Sequence, residues 1–423
     1  TGTPDVDQDV NAGTYTLSES GGPAGYTASA WVCLDAAGAP VTVTNSAVTL
    51  ALAQHVTCTI TNDDTTAVMT LVKTVVNDHG GTAVATDFTL TAIGGTPAFT
   101  LTGAGGTSPT EVPAGTYALS ETTKPGYAAG TWFCSVTDSA GTVTTTTGAT
   151  VTVPLGSTVI CSIVNDDQPA SLSLAKTVVN DNGGTAVAAD FTLTAIGGTP
   201  STTVTGAGSA TNPAVPAGTY TLSETSMPGY TAGTWSCAIT DAAGVQTTSA
   251  GTTVVVPNGG TVACSITNDD HAATLVLDKI LTNDNGGTAT SDQFTLTATG
   301  TTPAATTVSG GDTNPDAGSS LSFTVNAGSY TLSEAQQAGY AASTWACEGG
   351  TLAEDGVTLT IPNGATVTCT ITNNDQTAHL KLVKTVINDN GGTAAATDWT
   401  LTATGPTPLT GVTGTPDVDQ DVN

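Results

Sequence analysis

The sequence predicts an all-β chain, organised as a linear array of like units, and three observations carry that prediction. First, Thr, Val, Ala and Gly dominate and aromatic residues make up only 4% of the 423 residues. Runs of Thr and Val alternate with clusters of Gly, Pro, Asn and Asp, which read as strands and turns, and no stretch sustains a helical period. Second, four of the six lysines recur in the frame L-x-K-x-[VL]: Lys73, Lys176, Lys279 and Lys384, at intervals of 103, 103 and 105 residues. Third, the 8 cysteines fall two to a unit, as Cys33 with Cys58, Cys134 with Cys161, Cys237 with Cys264, and Cys347 with Cys369.

Each unit gives its signals in the same order. The lysine strand comes first, followed by a Gly-Gly turn (HGGT once, NGGT three times) and a strand reading DFTLTA, QFTLTA or DWTLTA. Then come AG[TS]Y-x-LSE, a Gly-Tyr pair, T-W-x-C (A-W-x-C once) and a closing strand of the type V-x-C-x-I-x-N. All 8 tyrosines occupy two of these positions, and Trp399 stands where other units have Phe88, Phe191 and Phe294. Such order at a fixed period marks a true internal repeat. It divides the chain into a second part of a unit at 1–64, three units at 70–167, 172–270 and 275–375, and a first part of a unit at 379–423. The run TGTPDVDQDVN appears unchanged at 1–11 and 413–423, as expected of a segment of a longer array or of chains that complete one another head to tail. The spacers between units are short, so a semi-rigid rod is expected.

Six lysines, no arginine and 35 acidic residues give a formal charge of −29. Such a polyanion repels nucleic acid and acidic membranes. No apolar run approaches the roughly 18 residues of a membrane span, and the first residues lack the basic and apolar regions of a signal peptide. Any export signal or wall anchor is therefore expected outside these residues. The cysteines form no C-x-x-C, and His55, His79, His271 and His379 do not follow the repeat. A zinc site is thus disfavoured, and one disulfide per unit in an oxidising, extracellular compartment is expected. No cofactor and no resident metal are expected. Residue type alone offers two calcium candidates: the Asp5-x-Asp7-x-Asp9 run, and the NDD and NDNGG clusters near each spacer, which read first as turn formers.

Strand alternation places three polar side chains inward. Lys279 shares a face with Leu277 and Leu281, and Lys384 shares one with Leu380, Leu382 and Val386, leaving Lys381 outside. On the Y-x-L-x-E strand, Tyr117, Leu119 and Glu121 lie together, and the same alternation gives Glu19, Glu224 and Glu334. On the closing strand, Val159, Cys161, Ile163 and Asn165 share a side, with Asn62, Asn268 and Asn373 in the equivalent positions. Unpaired buried charges are costly, so the lysine, glutamate and asparagine are expected to meet. Desolvation favours a neutral amine and a protonated acid, and attack of the amine on the Asn carboxamide would expel ammonia. A plain buried Lys–Glu ion pair remains open as the alternative.

The L-x-K strand, the segment PAGTYALSETTKPGY at 113–127 and the closing I-x-N together resemble the Cna B-type, SpaA-like repeats of Gram-positive surface adhesins and pili. The resemblance covers essentially the whole chain and implies prealbumin-like, inverse-Ig β-sandwiches in series, many of whose relatives form a Lys–Asn isopeptide assisted by Glu. Carried onto this chain, it implies Lys73 joined to Asn165 under Glu121, Lys176 to Asn268 under Glu224, and Lys279 to Asn373 under Glu334. Lys384 would find its partners in equivalents of Glu19 and Asn62. The W-x-C…C pair departs from the usual family pattern, which leaves open whether a disulfide supplements or replaces the isopeptide. The Trp and first Cys share a face, so Trp31, Trp132, Trp235 and Trp345 are expected to pack as core.

No Ser-His-Asp, Cys-His or phosphate-loop arrangement occurs, so an enzyme acting on an outside substrate is not expected. The expected function is a structural stalk or filament of the cell surface, each unit stapled internally, with neighbouring copies of the repeat as partners. Two alternatives stay open: an adhesin whose variable loops (135–147 against 348–356) bind a surface ligand, and a subunit that self-assembles through its split ends.

Overall fold

The computed structural model describes residues 7–302, 306–311 and 321–422. Strands dominate, and among the described residues the only helical pieces are single 3₁₀ turns such as Ala85–Asp87. No helix is long and apolar enough to cross a membrane, which says nothing of a strand barrel.

The first complete unit has ten strands, numbered β1 (Ala67–Val76), β2 (Thr89–Gly94), β3 (Phe99–Ala104), β4 (Thr110–Val112), β5 (Gly115–Glu121), β6 (Tyr127–Ala129), β7 (Phe133–Thr137), β8 (Val143–Thr147), β9 (Thr150–Val153) and β10 (Thr158–Asp167). One sheet runs β3-β2-β5-β9; the other runs β4-β1-β10-β7-β8, with β6 also on β10. The second unit repeats this plan; the third departs from it at one strand, where Thr351–Leu352 pairs with Thr358–Ile361 in the sheet of the glutamate strand instead of lying beside the cysteine strand. The first and last strands lie side by side and parallel, Lys73 opposite Ile163 and Val75 opposite Asn165. The units at Lys176 and Lys279 keep this register, opposite Ile266 and Ile371. A domain whose two ends are adjacent parallel strands encloses all its intervening chain between them.

The burial pattern follows the pleat. In β1 it alternates through Ala67, Met69, Leu71 and Lys73, and in β10 through Val159, Cys161, Ile163, Asn165 and Asp167. These face Leu90, Ala92, Tyr117, Leu119, Val151 and Val153 from the other sheet. Trp132 closes one side at 6% exposure. The tyrosine of β5 is fully buried, and its hydroxyl donates to Pro113 O at 2.9 Å, so the ring stays in the core without an unpaired hydroxyl;.

All four disulfides are formed: Cys33–Cys58, Cys134–Cys161, Cys237–Cys264 and Cys347–Cys369. A Trp beside a disulfide suggests an immunoglobulin-like core, but here the bond does not cross between sheets. Cys134 and Cys161 are register partners on neighbouring antiparallel strands, with Cα atoms 4.0 Å apart. The directly opposed pair brings Cβ atoms close enough for bonding within one ladder. Closing a loop between cysteines 27 residues apart contributes about 3 kcal/mol through the unfolded chain;.

The closing strand ends in a buried carboxylate that holds the Gly-Gly turn after β1. Asp167 accepts the backbone N–H groups of Asp78 (2.9 Å), His79 (3.0 Å) and Gly81 (2.6 Å). Asp270 and Asp375 do the same for the turns of the next two units. The tyrosine of the Gly-Tyr pair completes the clasp: the Tyr127 hydroxyl donates to Asn77 Oδ1 at 2.7 Å and accepts the Ala83 N–H at 2.8 Å.

The first and last segments carry shorter ladders. Residues 13–64 hold short ladders such as Gly13–Thr16 with Ala47–Leu50 and Val32–Asp35 with Val56–Thr59. Residues 378–422 pair Ala378–Lys381 with Asp419–Val422 and Thr400–Ala403 with Leu409–Val412. Spacers are tied down: the Gln168 N–H donates to Gly126 O (2.8 Å), while Gln168 O accepts the Gly259 N–H (3.0 Å).

The clasp predicts acid sensitivity. Burial pushes the Asp167 carboxyl up, but the N–H groups of Gly81, His79 and Asp78 outweigh this and hold it below its ordinary value of 3.8;. Asp270 and Asp375 are lowered for the same reasons. A carboxyl depressed on folding adds stability above its unfolded value, and that stability is lost as pH falls through the folded value. Thermal melting followed from about pH 5 to pH 2 is expected to fall steeply, and Asp167→Asn to lower the midpoint of its domain by on the order of 5 °C at neutral pH. A wild-type midpoint flat across this range would exclude the clasp as a stabilising contact.

Candidate functional site

β1 carries Lys73 into the space between the sheets because its strand neighbours on that face, Met69 and Leu71, are core residues. β5 brings Glu121 opposite, since Tyr117 and Leu119 fix which side of the strand faces in. β10 supplies Asn165 two residues beyond the isoleucine that sits across from the lysine. Three strands from two sheets thus deliver three polar side chains to one dry volume.

The contacts are short. Lys73 Nζ lies 2.6 Å from Glu121 Oε2, with both side chains almost wholly enclosed (0% and 6% exposed). Lys176 and Glu224 repeat this at 2.7 Å. In the third unit Lys279 is 3.1 Å from Glu334 Oε1, and Asn373 Nδ2 donates to Glu334 Oε2 at 2.9 Å, so all three residue types meet there directly. Burial pulls the Lys279 amine below its ordinary value of 10.5, against the pull of Glu334 in the other direction;. The partner oxygen atoms tell more. Asn165 Oδ1, Asn268 Oδ1 and Asn373 Oδ1 are buried without a hydrogen bond, as are Glu121 Oε1 and Glu224 Oε1. Unpaired buried acceptors are costly.

One residue of the site carries no role on sequence grounds. The amine of Lys73 sits 4.5 Å above the centre of the Phe88 ring, and Lys176 and Lys279 sit likewise over Phe191 and Phe294 at 4.6 and 4.8 Å. Tyr127 meets Phe88 edge to face at 5.8 Å. The ring face attracts the cation and also excludes water from it. The signal is present, an aromatic at one repeat position in each unit, including Trp399. What an alternation pattern does not give is which core residue touches which.

The first and last segments each carry part of the same set of residues. In the first half, Asn62 Nδ2 donates to Glu19 Oε1 at 2.5 Å, with both residues exposed. In the second half, Lys384 lies half-buried 4.7 Å above the Trp399 ring, and Lys381 is exposed on the other side. Lys384 thus lies in the last segment and the Glu19–Asn62 pair in the first.

The calcium candidates look different in three dimensions. Asp5 lies outside the described residues. In the second copy of that run, Asp419 pairs with Lys381 at 2.5 Å and with His379 at 2.7 Å. Near the spacers, Asp78, His79 and Asp167 come together, as do Asp181, Asp269 and Asp270. The buried member of each set already accepts backbone N–H groups, whose dipoles point their positive ends at it;.

Several solved structures resemble the chain. They include the Bacillus anthracis TIE protein, at 15% identity and TM-score 0.43 over 86% of this chain and 69% of that one. The pilus adhesin SpaC from Lactobacillus rhamnosus GG matches at 12% identity and TM-score 0.27, over 78% of this chain but 46% of its own. The major pilin from Streptococcus pyogenes matches at 14% identity and TM-score 0.24, over 49% of this chain and 99% of its own. No curated protein matches the sequence. The SpaA-type family described as the prealbumin-like fold domain matches residues 1–60, 64–163, 167–266, 270–371 and 375–423. With five matched segments spanning nearly its whole length, the chain belongs to the family of prealbumin-like fold domains.

Proposed function

We propose that this chain is a structural segment of an extracellular fibre or stalk, in which each complete domain is stapled by a disulfide and by an intramolecular Lys–Asn isopeptide. Its partners are neighbouring repeats of the same kind, head to tail, at a cell surface or in a secreted filament. Lys73 joins Asn165, Lys176 joins Asn268 and Lys279 joins Asn373, assisted by Glu121, Glu224 and Glu334. The observation that carries the reading is the enclosed Lys–Glu pair in each of three units, each of which also buries an Asn carbonyl without a hydrogen bond, with the Asn amide on the glutamate in the third.

The chemistry needs no external reagent. The glutamate takes a proton from the ammonium, leaving a neutral amine in a water-poor site. The amine nitrogen attacks Asn Cγ while the protonated glutamate donates to Oδ1, satisfying both orphaned acceptors with one proton. On collapse the Oδ1 proton returns to the glutamate and a proton from the attacking nitrogen passes to Nδ2, so the Cγ–Nδ2 bond breaks, ammonia leaves, and the amide that remains links the first strand to the last. The product carries no buried charge, which removes the desolvation cost of the lysine. The residues act once, on their own domain, and no turnover of another substrate follows.

A fibre under tension is the setting where this bond matters. Force enters a domain through β1 and leaves through β10, and a covalent link between residues 73 and 165 bypasses everything folded between them. Membership of the SpaA-type family, in five tandem units, supports a cell-surface setting at the level of resemblance. The second reading, a plain buried ion pair, is favoured by the 2.6 Å Lys73–Glu121 contact. It leaves the Asn carbonyls unpaired.

Intact mass separates the two. Stapling predicts the loss of one ammonia for each of the three complete domains, retained after the disulfides are reduced, and Glu121→Ala should restore one of the three. A mass short only of the disulfide hydrogens would identify the ion pair instead. Single-molecule pulling is expected to extend each complete domain by little more than its spacer; an extension of roughly 220 Å, the contour of about 65 residues outside the disulfide loop, would rule out the staple;.

A further inference from the structure

Successive complete domains touch through more than their short spacers, and both joints are built alike. The second domain is attached to the first at the spacer and also away from it. At the spacer, the Gln168 N–H donates to Gly126 O at 2.8 Å, and Gln168 O accepts the Gly259 N–H at 3.0 Å. Asn258 Nδ2 donates to the same Gly126 O at 2.7 Å. The Ala217 N–H donates to His79 O at 2.6 Å. The joint between the second and third domains repeats the plan. Gly229 O accepts the His271 N–H (2.9 Å) and Asn363 Nδ2 (2.7 Å), and Asn182 O accepts the Ala327 N–H at 2.8 Å.

These attachments come from both sheets of the incoming domain. Ala217 immediately precedes the strand Gly218–Glu224, whereas Asn258 lies in the turn before the closing strand Thr261–Asp270, which belongs to the other sheet. A single tether leaves a domain free to turn about it, and a short spacer only limits that turning. Holding both sheets as well as the spacer removes the freedom. The fit is close. A Cβ on Gly80 would lie 2.5 Å from Ala217 O, and one on Gly126 would lie 2.7 Å from Asn258 Nδ2.

The receiving carbonyls are themselves held in place. His79 belongs to the Gly-Gly turn whose N–H groups the buried Asp167 carboxylate gathers, at Asp78, His79 and Gly81. Gly126 precedes Tyr127, whose hydroxyl donates to Asn77 Oδ1 and accepts the Ala83 N–H on either side of that same turn. One network inside the first domain thus fixes both carbonyls that the second domain meets. In the second domain, Asp270 and Tyr230 hold Asn182 and Gly229 in the same way. A hydrogen bond across a small interface contributes most when its acceptor is positioned beforehand, because no ordering cost is left to meet on docking.

We propose that the buried carboxylate closing each domain is the positioning residue of the joint with the next: Asp167 fixes the orientation of the second domain on the first, and Asp270 that of the third on the second. The clasp then serves its neighbour as well as its own fold. It makes adjacent domains move as one body, where motion between domains is the default for a small polar interface. The joint deepens the stalk reading and rests on it for its use, since locked joints turn a string of domains into a stiff rod. It does not depend on the Lys–Asn bond.

The test is measurement of residual dipolar couplings from the backbone amides of the weakly aligned full chain, compared domain by domain. In the wild type the three complete domains are expected to share one alignment tensor. Asn258→Asp sets a carboxylate against Gly126 O, and Ala217→Pro removes the N–H that His79 O accepts. The double variant should lose the common tensor at the first joint and keep it at the second. Asp167→Asn should cause the same loss although it alters no residue of the second domain, and Asp270→Asn should move the loss to the second joint. Couplings within each domain report whether it remains folded; if Ala217→Pro disturbs its own domain, Asn258→Asp alone is read in its place. Separate tensors in the wild type, or a common tensor kept by the joint variants, overturn the joint. A common tensor kept by Asp167→Asn, with only the melting of its own domain lowered, confines the carboxylate to its own fold and overturns the proposal. Intact mass of the same samples counts ammonia separately, so a failed staple and a failed joint are different results.

Discussion

A lysine ammonium held between the first and last strands of each domain is the constraint around which the rest is arranged. Unpaired, it would be among the most costly groups in the molecule. The glutamate of β5 balances its charge, the aromatic just before β2 covers it, and the asparagine of β10 is buried on the neighbouring strand. Because those groups come from both sheets, the lysine can be satisfied only when the sandwich has closed. A polar cluster of this kind specifies one arrangement of strands, where an apolar core of Leu and Val would tolerate several.

The same two strands are tied at two levels, and the last is fastened a third time to another neighbour. The parallel ladder between β1 and β10 is the backbone level. The carboxylate at the end of β10, which gathers three N–H groups from the turn after β1, is the side-chain level. The disulfide fastens β10 to its other neighbour, β7. With 4% aromatic residues the hydrophobic core is lean, and the chain compensates with directional contacts at its ends;. The junctions continue that economy, since the turns that close one domain also receive the next.

Much of the site was legible because strands have a period of two. Alternation around Leu277 and Leu281 put Lys279 inside, and it is 1% exposed. The same logic placed Asn165 and Asn373 inside, at 2% and 0%. Two things were not legible. The aromatic over each amine belongs to a different strand, and contacts across sheets follow from how the sheets stack, not from sequence spacing. The role of Asp167 was hidden because N-D-D reads as a turn, whereas the strand continues through it and buries the second aspartate against backbone donors.

The sequence by itself determined the all-β class, the repeat, its order of strands and the inward face of each, because these depend on local alternation and turn chemistry. Tertiary structure decided the rest, and one segment demonstrates why. D-Q-D-V forms the strand Asp419–Val422 against Ala378–Lys381, but residues 7–11, with the same sequence, form none. A strand is completed by hydrogen bonds to a neighbour, and only the second copy has the lysine strand beside it.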